Sequence, residues 1–134
     1  MFPFEFIIKG IPISFQSKKP KKILKWKNKV RDAAKLSWKP FLPPFTGELE
    51  MEIFYFFNGD PPDVDNIIKP IQDALEKLVY DDDKRIVSVK SKKIRIGGSY
   101  QLSGISPDVV KSIIEGDDFV YVIIRVPTHP ERII

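Results

Sequence analysis

The chain has 134 residues, 43% of them hydrophobic, and a formal net charge of +4. That length fits one domain with a modest core of its own, expected over residues 1–134, and the lack of cysteine excludes disulfides, thiolate nucleophiles and cysteine-type zinc sites. Only His129 can supply imidazole, and it lies in a short polar tail where an exposed spectator is expected; the initial MFPFEFIIKG holds too short an apolar run to cross a bilayer and lacks a small-residue cleavage site, so a cytoplasmic protein with no membrane partner is expected.

In chain order, residues 4–10 (FEFIIKG) have the aromatic and β-branched content of a short strand closed by Gly10. After a basic loop, Ile23, Trp26, Val30, Ala33, Ala34 and Trp38 recur at helical spacing, predicting an amphipathic helix over 23–38 with a Lys/Arg outer face and with Leu24 and Leu36 off the apolar stripe. Core packing is the expected role of both tryptophans, with stacking on bases as the alternative. Prolines 40, 43 and 44 stop the helix, and residues 47–58 alternate before turning continuously apolar, as a central strand does.

The turn GDPPD ends that strand. Ile67, Ile68, Ile71, Ala74, Leu75 and Leu78 then predict a helix over 66–79, capped by Asp65 or Asp63 and bent near its start by Pro70. Residues 86–96 mix apolar and basic positions like a half-exposed strand, which GGSYQLSG breaks. Ser106 as N-cap with Pro107 behind it opens a short helix to Glu115, and a last strand runs from Phe119 to Val126. These elements predict a small single α+β domain: a mixed sheet of about four strands with two longer helices and one short helix packed on it.

Charge is distributed in blocks. From Gln16 to Pro40 ten Lys/Arg stand against the single acid Asp32; from Gly59 to Asp83 eight acids face only Lys69 and Lys77; from Lys84 to Arg95 six basic residues stand with no acid. A polyanion is drawn to the outer blocks and repelled by the middle one, unless divalent cations there bridge it to phosphate. Solvated faces that never meet are the plainer alternative.

The informative segment runs from Asp63 through Asp65, Asn66, Lys69 and Asp73 to the acidic run Asp81–Asp83. Asp63 and Asp65, two apart in an extended strand-to-helix turn, point the same way, and the helix returns the chain so that a third carboxylate can join them. Hard oxygen ligands in this number suit Mg²⁺, with Mn²⁺ as a substitute, completed by water and a substrate phosphate; such an ion activates water and shields charge growing on a phosphodiester. Asn66, Lys69 and Asp73 share one helix face, so Lys69 hangs near the metal, aimed at the scissile phosphate, with Asp73 orienting it. The plain alternative is an Asp-capped amphipathic helix with a surface Lys69–Asp73 pair.

The pattern D-x-D-N-x-x-K-P-x-x-D-A-L, a hydrophobic stretch, then Y-x-D-D-x-x-I-V resembles the signature of the RusA-like crossover junction endodeoxyribonucleases, densely from about Pro61 to Val87. The opening Phe6–Ser14 is similar to that family's first strand and loop. The resemblance implies a metal-dependent nuclease that resolves four-way DNA junctions by paired symmetric nicks in recombination and repair, acting as a homodimer. It assigns catalysis to Asp63, Asp65, Asp83 and Lys69, with Asp82 as the first member of the later aspartate pair and a further candidate metal ligand. Lys18, Lys19, Lys21, Lys22, Lys25, Lys90 and Lys92 are candidates for holding DNA phosphates. Rival readings are a nucleic-acid-binding module without catalysis and a related nuclease of other branched DNA or RNA. An EF-hand is excluded, because Ile68 stands where its loop needs Gly and Ala74 where it needs Glu.

Overall fold

A computed structural model describes residues 2–98 and 104–127. Its elements are β1 (Phe4–Lys9), α1 (Pro20–Lys35), β2 (Leu49–Phe57), α2 (Ile68–Leu75), β3 (Ile86–Arg95), α3 (Pro107–Glu115) and β4 (Phe119–Arg125), with one 3-10 turn at Asp83–Arg85. The strands form one mixed sheet in the order β1-β4-β2-β3. β4 pairs antiparallel with both β1 and β2, whereas β2 and β3 are parallel. Parallel neighbours need a crossover, and α2 supplies it. The fold is the expected α+β domain, but only α1 is a longer helix: α2 has eight residues and α3 nine. His129, with most of the segment that ends β3, lies outside the described residues.

Strand alternation divides the core between the two sheet faces. Phe4, Phe6 and Ile8 of β1, Leu49, Met51, Ile53 and Tyr55 of β2, and Val120, Val122 and Ile124 of β4 pack with α1 and α2 in the larger cluster. On the other face Phe56, Phe119 and Tyr121 pack with Val109 of α3. β2 alternates at first and is then continuously buried from Tyr55 to Phe57, as expected of a central strand; β3 is an edge strand and mostly exposed.

Several expectations are corrected. α1 starts at Pro20, whose ring suits the first helical position, and ends at Lys35, before Trp38. Trp38 still packs in the core, so its place on the helical stripe reflects packing beyond the helix end; both it and Trp26 are 4% exposed, which removes them as stacking platforms. α2 is shorter than residues 66–79 because Leu78 and Val79, although packed on the core, sit in the turn that follows it. Its N-cap is Ile67 with no side-chain cap, so neither Asp63 nor Asp65 caps it. Pro70 falls in the first turn, where backbone N–H groups have no intrahelical partner, and it therefore costs no helix bond.

Candidate active site

Asp63 and Asp65 lie on a segment held by its backbone at several points. Where β2 ends, the Asn58 N–H and side-chain amide donate to Asp118 Oδ1 at 3.1 and 2.8 Å, and Tyr55 Oη donates to Oδ2 at 2.6 Å. Burial and this bond push the Tyr55 phenol well above its usual pKa. The chain then folds back over β3. The Val64 carbonyl accepts from Ser91 Oγ at 2.8 Å, the Asn66 carbonyl accepts from the Phe15 N–H at 2.8 Å, and the Asn66 N–H donates to the Asp63 carbonyl at 3.0 Å. Within these anchors Val64 and Asn66 are half-buried, while Asp63 and Asp65 are exposed. The backbone is fixed and the two carboxylates face solvent.

The first turns of α2 carry the basic partner. Lys69 Nζ donates to Asp83 Oδ2 and lies 2.9 Å from Asp73 Oδ1, one helical turn along. These two carboxylates hold the ammonium well above its ordinary pKa, Asp83 contributing most, and Lys69 in turn holds the Asp83 carboxyl below the usual range. Asp73 Oδ2 is 3.4 Å from Lys27 Nζ of α1. Asp73, Glu76 and Asp83 offer oxygens that lie within 4.8 Å of one another, the only such group of three among the described residues. Burial, and then the charge of Asp83, raise the Glu76 carboxyl. Asp83 is thus brought to Lys69 and Asp73, whereas Asp63 and Asp65 stand outside this group.

The three adjacent aspartates have different surroundings. Asp81 accepts two bonds from Arg85, at 2.8 and 3.0 Å, which lower its carboxyl to a pKa of about 2. Asp82 accepts from the Lys84 N–H at 2.9 Å and caps the 3-10 turn. Asp83 alone of the three meets Lys69.

The candidate phosphate contacts divide between surfaces. Lys18 and Lys19 precede α1, and Lys21, Lys22 and Lys25 lie along it; all five are exposed. On β3, Ser91 faces the Asp63–Asp65 segment, so alternation puts Lys93 and Arg95 on that face and Lys90 and Lys92 on the other. Arg95 stacks over Phe57 at 4.6 Å. Sequence reasoning did not single out Lys27, Glu76 or Lys93. Glu76 stands three residues beyond Asp73, a spacing that shares a helix face, but the contact from Lys27 depends on how α1 docks on α2.

A family model described as endodeoxyribonuclease RusA matches residues 13–99, which hold α1, β2, α2, β3 and every acidic residue proposed above for catalysis or metal binding. No curated protein matches the chain.

Proposed function

Because this chain belongs to the RusA endodeoxyribonuclease family, we propose that it is a divalent-metal-dependent endonuclease that resolves four-way DNA junctions by paired symmetric nicks, working as a homodimer in recombination and repair. The observation that carries this reading is the Lys69 ammonium held between Asp73 and Asp83 beside an anchored turn with two exposed carboxylates. A surface ion pair on a plain amphipathic helix needs neither the anchored turn nor the third acidic residue nearby.

The donor chemistry fits a hard cation. Carboxylate oxygens are the ligands Mg²⁺ takes, and the spacing within Asp73, Glu76 and Asp83 is compatible with oxygens around one ion. Asp83 of that group, with the exposed Asp63 and Asp65 of the anchored turn, would hold Mg²⁺ or Mn²⁺, whereas Asp82 caps the adjoining 3-10 turn. Bound there, the ion supplies charge neutralisation on the phosphodiester and activation of the attacking water.

The protein's own groups do the rest. Lys69 stays protonated through the neutral range and presents its positive charge to the non-bridging oxygens of the scissile phosphate. Asp73 keeps that ammonium from swinging into solvent. Lys18, Lys19, Lys21, Lys22 and Lys25 attract the flanking backbone, and Lys90 and Lys92 add positive charge at the sheet edge, without reading sequence. Asn66, half-buried beside Asp65, supports the turn through its backbone bonds. Two copies related by symmetry would set one such site against each of two opposed strands.

The direct test is cleavage of a synthetic four-way junction and of a matching linear duplex, with Mg²⁺ or with chelator, by the wild type and Asp65→Asn. Symmetric nicks in the junction alone, requiring both metal and Asp65, are expected. Junction binding without cleavage in Mg²⁺ or Mn²⁺ would leave a binding module, and faster cutting of flaps or forks than of junctions would move the substrate to other branched DNA.

A further inference from the structure

We propose that Lys27 is a positioning residue of the cleavage site: from α1 it holds one oxygen of Asp73 so that the other can fix the Lys69 ammonium. The inference rests on the endonuclease reading above and extends the site to a second helix.

The geometry is specific to the two oxygens of one carboxylate. Lys27 Nζ lies 3.4 Å from Asp73 Oδ2, and Lys69 Nζ lies 2.9 Å from Oδ1. A carboxylate engaged through one oxygen turns about its Cβ–Cγ bond, whereas a cation at each oxygen defines its plane. Lys69 is a point charge on a flexible four-carbon stem, so its direction is set by the carboxylates it touches. Loosening Asp73 therefore loosens Lys69, leaving Asp83 to draw it off centre.

Lys27 also differs from its neighbours on the helix. Lys21, Lys22 and Lys25 are exposed, but Lys27 is half-buried against α2. One turn further along the same face, Arg31 Nη1 donates to the carbonyls of Ala74 and Glu76 at 3.0 and 2.9 Å. α1 is therefore clamped to α2 just beyond Asp73, and the Lys27 contact belongs to a docked helix face. The consequence is a link between the helix that attracts the DNA backbone and the lysine aimed at the scissile phosphate, through one carboxylate.

The test uses the full chain with Lys27→Met, which removes the charge and keeps most of the stem, together with Lys27→Arg, Asp73→Asn and the Lys27→Met/Asp73→Asn double variant. Three quantities are measured: single-turnover cleavage of saturating four-way junction in Mg²⁺, junction affinity in chelator, and the side-chain ammonium signal of Lys69 in ¹⁵N-lysine-labelled protein. Misplacing a reacting group is expected to slow Lys27→Met about ten- to a hundredfold while junction affinity stays within about twofold. Lys27→Arg should recover most of the rate, the double variant should be no slower than Asp73→Asn alone, and the Lys69 signal should shift in Lys27→Met. Weakened junction affinity with a wild-type rate at saturation would make Lys27 an ordinary backbone contact. Additive effects in the double variant would show that it acts elsewhere, and an unmoved Lys69 signal would show that the coupling is absent. Should the wild type bind junctions and cleave nothing, the endonuclease reading fails, and the Lys69 signal by itself decides whether Lys27 positions it.

Discussion

Asp81, Asp82 and Asp83 carry the same side chain on adjacent residues, and their partners separate them. Asp81 is paired with Arg85, Asp82 accepts the Lys84 N–H, and Asp83 meets Lys69. Substitution by asparagine should therefore have three different results. Asp83→Asn removes a charge opposite the lysine and a proposed metal ligand, and should slow single-turnover junction cleavage by at least about a hundredfold. Asp82→Asn keeps an oxygen that can cap the turn, since asparagine caps as well as aspartate does, and should remain near the wild-type rate. Asp81→Asn loses a solvent-screened pair and should also cleave normally. Comparable defects for Asp82→Asn and Asp83→Asn would mean that both carboxylates hold the metal.

Between elements, the contact that locates the site is α1 against α2. α2 has only eight residues, and the carbonyls at its C-terminal end would be open to competition from water without Arg31, which donates to two of them. Hydrogen bonds to a charged group contribute about 1.5–3 kcal/mol each, so Arg31→Ala should lower unfolding free energy by at least about that amount, seen as a lower urea midpoint at unchanged slope. An unaltered midpoint would show that water replaces the guanidinium at no cost.

The same pair of helices marks where sequence reasoning stops. Element order was readable because each helix and strand carries one apolar stripe at its own period, and the start of α3 was read to the residue because Ser106 and Pro107 mark it. The bounds of α2 were not, since Leu78 and Val79 continue its stripe from within a turn. In the site, Lys69 and Asp73 were legible as neighbours one helical turn apart. Lys27 was visible only as one of ten basic residues in a block, because its meeting with Asp73 depends on a helix-to-helix docking that no local pattern encodes. The placement of Asp63 and Asp65 was anticipated as a turn, but not its anchoring by Ser91 and Phe15, which are distant in sequence.

Across the whole molecule, the sheet separates two surfaces that both carry basic residues. α1, α2 and the Asp63–Asp65 segment lie on one face; α3 covers part of the other. β3 is the edge where the two meet, with Lys93 and Arg95 turned toward the site and Lys90 and Lys92 turned away. DNA seated with a phosphate at Lys69 has its adjacent backbone nearest the first pair. Every phosphate that a substitution leaves without its cation lowers the slope of log affinity against log salt by roughly one. Lys93→Ala should therefore show that decrease in junction binding measured in chelator, and Lys92→Ala a smaller one. Equal decreases would mean that the DNA wraps around the β3 edge and both faces grip it. A decrease for Lys92→Ala alone would put the bound DNA on the face away from Asp63 and Asp65, where their carboxylates could not serve as the proposed ligands.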